Sequence, residues 1–147
     1  MVWFHLSDNG PAVLLAAILG AAIGAEREWR RHPGGLRSCA LVSAAAAVFA
    51  IIAVRHGAGS IGAGLGAIAS GVGFLGAGVI MHEGAHVRGL STAATFWATA
   101  AIGTAAGLGD YQMAMALTAI VFFAHVLLRP LSAWIERSSP PQGDGPQ

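Results

Sequence analysis

The sequence predicts an all-α membrane protein, a bundle of about five transmembrane helices packed through glycine and alanine. Three observations carry that prediction. Hydrophobic residues make up 55% of the 147 positions and charged residues only 10%, where an ordinary soluble domain carries about 25% charged residues. Mean hydropathy is +0.65, which leaves too little polar surface to keep a soluble chain dispersed. Long apolar runs also alternate with short breaks rich in Gly, Pro, Asp and Arg, at intervals suited to spans of roughly 20 residues. The formal net charge of +1 provides no basic face for phosphates, so no nucleic-acid partner is expected. All eight basic residues are arginine, and the single cysteine, Cys39, excludes an internal disulfide.

The membrane domain is expected over residues 1–137. Met1 to Gly10 has no Lys or Arg ahead of the first apolar run, so that run reads as a mature span and not as a cleaved leader. Asp8-Asn9-Gly10-Pro11 supplies capping residues and a proline suited to a first helical turn, and the first span covers about 11–26. Its apolar part, Ala12 to Ala25, has 14 residues and is short for a crossing. Either the helix begins before Pro11, or Glu26 lies within the bundle where a partner satisfies it. Gly20 and Gly24 form a GxxxG pair, a weak sign of close helix contact. His32-Pro33-Gly34-Gly35 breaks the helix, and the second span, about 36–54, has Arg37 at its entrance.

Arg55 to Ser60 forms the next turn. The third span, about 61–81, carries small residues at Gly62, Gly66, Ser70, Gly73 and Ala77, one continuous stripe flanked by Gly76 and Gly78. The fourth, about 90–108, sets Thr92, Thr95, Thr99 and Gly103 on one face. Gly109-Asp110 turns the chain into the fifth, about 111–128, where Thr118 and His125 share a face. Arg129-Pro130 ends that span, and residues 138–147 read as a disordered polar tail. With five spans, Arg27, Arg30, Arg31, Arg37, Arg88, Arg129 and Arg137 fall on one side and only Arg55 on the other. The positive-inside rule then places the N-terminus outside and the C-terminus in the cytoplasm. The first two helical hairpins also echo one another about 54 residues apart, as a degenerate parallel repeat.

Three constellations carry candidate chemistry. His82-Glu83-Gly84-Ala85-His86 matches HExxH, which on a helix places two imidazoles on one face for zinc, with the glutamate as general base. No third ligand is evident, because Asp110 falls on the opposite side. Two surface histidines in a cytoplasmic turn are the favoured reading, so no metal is expected at His82 and His86. Glu26, Arg37, Glu83 and Arg88 gather at the cytoplasmic ends of the first four spans. They form either two ion pairs that lock the hairpins or a cation or proton site; magnesium would want oxygen ligands with few cations nearby. Thr92, Thr95 and Thr99 form a polar face suited to hydrogen bonds across a helix contact. His125 reads as a satisfied membrane histidine and Cys39 as packing.

Gly24-Ala25-Glu26-Arg27-Glu28, Pro33-Gly34-Gly35-Leu36-Arg37, Gly73-Phe74-Leu75-Gly76-Ala77-Gly78-Val79-Ile80 and Val87-Arg88-Gly89-Leu90-Ser91-Thr92-Ala93-Ala94-Thr95-Phe96-Trp97 together resemble the MgtC/SapB family of bacterial inner-membrane proteins. The resemblance covers about 14–128. It implies a multi-pass protein of the bacterial inner membrane, associated with magnesium homeostasis and adaptation to low magnesium. In some members it implies a contact with the F-type ATP synthase. Many members carry a cytoplasmic ACT-like C-terminal domain, whereas only ten polar residues follow Arg137 here. The expectation is therefore a short-form, non-enzymatic protein without a cofactor. It would sit in a lipid bilayer, associate with itself as a dimer or higher oligomer, and act through membrane-protein contacts. A magnesium or proton conduit using Glu26 and Glu83 is the alternative, and a zinc hydrolase at His82, Glu83 and His86 a more distant one.

Overall fold

The computed structural model describes the backbone of residues 6–83 and 86–138, with side chains throughout except at 6–8, 58–60, 82–83, 86 and 129–138. The chain runs α1 (Leu6–Trp29), α2 (Leu36–Arg55), α3 (Ala58–Val79), β1 (Met81–Glu83), β2 (His86–Arg88), α4 (Leu90–Gly107) and α5 (Tyr111–Ser138). Of the five helices, four contain segments long and apolar enough to cross a membrane: Asn9–Trp29, Leu36–Arg55, Ile61–Val79 and Tyr111–Leu128.

The helix outside that set, α4, is the hub. It touches all four of the others and buries Thr92, Thr95, Phe96, Thr99, Ala100, Ile102, Gly103 and Ala106. Its threonines lower its hydropathy, and its position explains why that is tolerated. A helix wrapped by other helices shows little surface to lipid, and its hydroxyls can bond within the helix and across to neighbours. Of the expected bundle of about five helices, all five are present, and four are long and apolar enough to cross a membrane.

Both alternatives raised by the short first run hold together: α1 begins at Leu6, ahead of Pro11, and the Glu26 side chain is buried to 9% exposure. The α1–α2 turn places Arg31 (φ 58°) and Gly34 (φ 73°) in the left-handed region. Glu28 Oε2 accepts from the Leu36 N–H at 2.9 Å, capping the first turn of α2 from the end of α1. Asp110 does the same for α5, accepting from the Met113 N–H at 3.0 Å. The apolar part of α5 is Tyr111–Leu128, as expected, and the helix continues past Arg129-Pro130 to Ser138. Residues 139–147, nearly all of the expected tail, lie outside the described residues.

Small residues do bring helices together, though mostly at other positions than the α3 stripe. A Cβ at Gly20 would meet Cys39 O at 2.5 Å and Ser43 Cβ at 2.7 Å, and one at Gly24 would meet Leu36 Cα at 2.6 Å. From α4, Gly103 and Gly107 lie directly against the backbones of Ser43 and Ala47. Two GxxxG pairs, one on α1 and one on α4, therefore hold α2 close to both helices. Gly62, Gly66, Ser70, Gly73, Ala77 and Gly78 are exposed within the protomer, and of the expected packing set Gly76 alone is buried, near Ala93 on α4. The α3–α4 joint is a β-hairpin where α1–α2 has a short turn, so the two halves are not copies at their joints.

Candidate functional site

The polar centre is built on Arg27. The buried face of α1 runs Ala12, Ala16, Gly20, Ile23 and Gly24, and one further turn on the same face falls at residue 27. Arg27 accordingly points inward and is 2% exposed. Its guanidinium donates four hydrogen bonds into two other segments. Nε reaches Gly34 O at 3.2 Å and Nη2 reaches Pro33 O at 2.7 Å, both in the α1–α2 turn. Nη2 also donates to Thr92 Oγ1 at 2.8 Å, and Nη1 to Thr95 Oγ1 at 3.0 Å, on α4. The planar fork of arginine suits this arrangement because its donors diverge in fixed directions. A buried cation is kept only where its donors are satisfied.

Thr95 extends the network. Its hydroxyl lies 2.7 Å from Ser91 O and 3.1 Å from His125 Nε2 on α5. Thr99 Oγ1 donates to Thr95 O at 2.7 Å. Cys39 Sγ donates to Gly34 O at 3.3 Å, so the buried thiol belongs to the same turn. Glu26, beside Arg27, pairs with Arg30 one turn later and lies 3.6 Å from His125 Nδ1 through Oε2. A cavity of about 340 Å³ opens over these groups, lined by Glu26, Arg27, Arg30, His32, Ser91 and His125 together with Ala124 and Leu128.

Of the expected cluster of Glu26, Arg37, Glu83 and Arg88, Glu26 stands at this centre, beside Arg30 and His125. Arg37 is exposed, because α2 turns Cys39 and Ser43 inward and residue 37 lies about 200° around the helix from Cys39. Arg88 is exposed at the end of β2, and the Glu83 side chain lies outside the described residues. Thr92, Thr95 and Thr99 are buried together as a polar face, with Thr92 and Thr95 accepting from Arg27 and Thr99 donating to the Thr95 carbonyl. His125 joins the site as well.

The described residues of the HExxH segment are in strands, paired antiparallel as Met81 with Arg88, His82 with Val87 and Glu83 with His86. The helical i, i+4 face that zinc binding by this motif requires is absent, and the side chains of 82–86 lie outside the described residues. Among the described residues no three of His, Cys, Asp and Glu converge on one point. Purified protein is expected to carry no stoichiometric zinc, and His86→Ala to leave its metal content unchanged, as read by elemental analysis.

Residues 13–134 match the profile of the MgtC family. A protein named Protein MgtC from Salmonella typhimurium is 52% identical over 117 residues, covering 80% of this chain and 51% of that protein. Protein MgtC of Brucella abortus is 40% identical over 151 residues, covering 92% of this chain and 58% of the relative. An uncharacterized protein of Synechocystis is 44% identical over 122 residues. The chain spans about half the length of the curated relatives it matches. No solved structure matches it.

Proposed function

Because the chain belongs to the MgtC family, we propose that it is a multi-pass protein of the bacterial inner membrane that serves adaptation to low magnesium as a non-enzymatic contact protein. In this reading α4 crosses together with the other four helices. The arginine-rich ends of α1, α2 and α4 then face the cytoplasm and the N-terminus lies outside. The polar centre holds the bundle, and the outer face of α3 meets the partner.

The observation that carries this reading is the placement of α3. Only 6% of its apolar segment is buried in the protomer, against 39% for α2. It stands apart from its neighbours, with an apolar groove of about 720 Å³ between α2 and α3 and another of about 360 Å³ among α3, α4 and α5. Its small residues face outward, where a Cβ at Gly62, Gly66 or Gly73 meets nothing within 4 Å. Lipid gains little from such a surface, whereas a second helix can approach it to backbone contact. The magnesium conduit has less support, because Arg27 and Arg30 flank the one described buried carboxylate and hard divalent cations want several oxygens.

The test is a pair of substitutions on the exposed row, Gly62→Leu with Gly73→Leu. A Cβ at either position meets nothing within 4 Å in the protomer, so folding and thermal stability are expected to stay within about 1 kcal/mol of the parent. Growth support at limiting magnesium is expected to fail, in a strain lacking its own copy. Full complementation by this variant at normal membrane abundance overturns the reading.

A further inference from the structure

Both ring nitrogens of His125 face other helices, Nε2 towards Thr95 on α4 and Nδ1 towards Glu26 on α1. Nδ1 is buried and has no hydrogen-bond partner among the described residues; Glu26 Oε2 stands 3.6 Å away. Thr95 has one hydroxyl hydrogen and three polar neighbours. It accepts from Arg27 Nη1, which can only donate. Its hydrogen then goes either to Ser91 O, which can only accept, or to His125 Nε2, which can do either.

Two proton arrangements satisfy this geometry. In one, Thr95 donates to Nε2, and a neutral imidazole carries its hydrogen on Nδ1, facing the Glu26 carboxylate. In the other, Thr95 donates to Ser91 O, and a doubly protonated ring donates through Nε2 to Thr95 and presents Nδ1–H to Glu26. The two differ by one proton and by the rotation of one hydroxyl. No heavy atom has to move. The charged and titratable groups around the ring are Glu26, Arg27 and Arg30 on α1 and His32 in the α1–α2 turn. From α4 only the uncharged Ser91 and Thr95 face it.

We propose that Glu26, His125 and Thr95 form a proton-binding site, open at the arginine-rich end, that ties α5 to α1 and α4. The 340 Å³ cavity lined by Glu26, Arg30, His32 and His125 gives a proton its entry. Two guanidinium groups beside a single carboxylate disfavour any larger cation. The site is closed on the other side. Beyond Thr99 the described interior is the apolar cluster of Ala16, Ala47, Ile102, Ala106, Ala114 and Val121, and the other fully buried hydroxyl, Ser43, has no hydrogen-bond partner among the described residues with which to form a relay. The site therefore takes up a proton without conducting it, a property independent of whatever partner meets α3.

The experiment uses the full chain in lipid nanodiscs with ¹⁵N-labelled histidine, the His125 signals being identified by their loss in His125→Gln. The unmodified protein is expected to show His125 passing from singly protonated at Nδ1 to doubly protonated as the pH is lowered with the fold intact. Glu26→Gln is expected to weaken that uptake about tenfold, since a nearby opposite charge favours the protonated ring. A neutral ring protonated at Nε2, or one that stays neutral until the protein unfolds, overturns the proposal, and that measurement needs no variant beyond the assignment. An unchanged titration in a folded Glu26→Gln protein overturns it too. Proton flux in proteoliposomes above that of empty vesicles, abolished by His125→Gln, overturns the closed far side.

Discussion

Arg27→Gln is expected to destabilise the protein by about 3–5 kcal/mol, a drop on the order of 10 °C in the unfolding midpoint in detergent. The side chain donates to Pro33 O, Gly34 O, Thr92 Oγ1 and Thr95 Oγ1, and hydrogen bonds from a charged donor contribute about 1.5–3 kcal/mol each before non-additivity. Glutamine keeps some packing volume but has a single NH₂ group, so at least two of the four acceptors lose their donor. The threonine hydroxyls can turn to backbone carbonyls of their own helix. The Pro33 and Gly34 carbonyls, held in a turn by Arg31 and Gly34 in left-handed conformations, have less freedom to do so. Arg27→Lys is expected to recover only part of the loss. An ammonium group donates from one point and cannot span the turn and α4 together. Arg37→Gln is the control: that side chain is exposed, and the change is expected to stay within about 0.5 kcal/mol. Equal losses at Arg27 and Arg37 would restore the ion-pair scheme read from the sequence.

The reason Arg27 escaped the sequence reading is instructive about charges near a membrane surface. Arg27, Glu28, Arg30 and Arg31 stand together after an apolar run, and such a group usually marks the end of a span in solvent. The distinguishing signal was the face and not the composition. Residue 27 continues the row Ala16, Gly20, Ile23 inside the helix, while Glu28 leaves that face and Arg30 follows the helix end at Trp29. Thr92, Thr95 and Thr99 were legible as a polar face from their spacing alone, but a row of threonines does not say what bonds to it. The pairing is set by which helices become neighbours, and α1, α4 and α5 meet only in the folded bundle. The helical class and the helix breaks at Pro33-Gly34 and Gly109-Asp110 were legible, because local chemistry dictates them. The HExxH hairpin was not, since four-residue spacing reads equally well in a helix or a turn. Nor was the facing of the α3 stripe legible. A row of glycines states that close approach is allowed, and only the tertiary arrangement shows that α1 and α4 use their own glycines to grip α2.

That grip gives the second large effect. Gly103→Ala is expected to cost about 1–3 kcal/mol, although alanine is the better helix former by about 1 kcal/mol. The added Cβ would press on the Ser43 carbonyl of α2, with Ser43 Cα at 2.8 Å. Backbone atoms cannot swing aside as a side-chain end can, so α2 must move as a body. Its freedom is limited, because Gly20 of α1 touches the same residue, with Ser43 Cβ at 2.7 Å from the Cβ position. Gly20→Ala is therefore expected to cost a similar amount by itself. In the Gly20→Ala/Gly103→Ala double variant the relief open to each single change is closed by the other. The coupling in a double-mutant cycle is expected to be unfavourable by on the order of 1 kcal/mol, measured by chemical unfolding in detergent. Ser43→Ala separates crowding from polar loss. Its Oγ is buried with no hydrogen-bond partner among the described residues, so removing the hydroxyl is expected to be neutral or stabilising. Gly73→Ala, which meets nothing within 4 Å, should stabilise the isolated protomer through helix propensity alone. Additive losses at Gly20 and Gly103 would mean that α2 adjusts to each neighbour independently, and the coupling through Ser43 would be wrong.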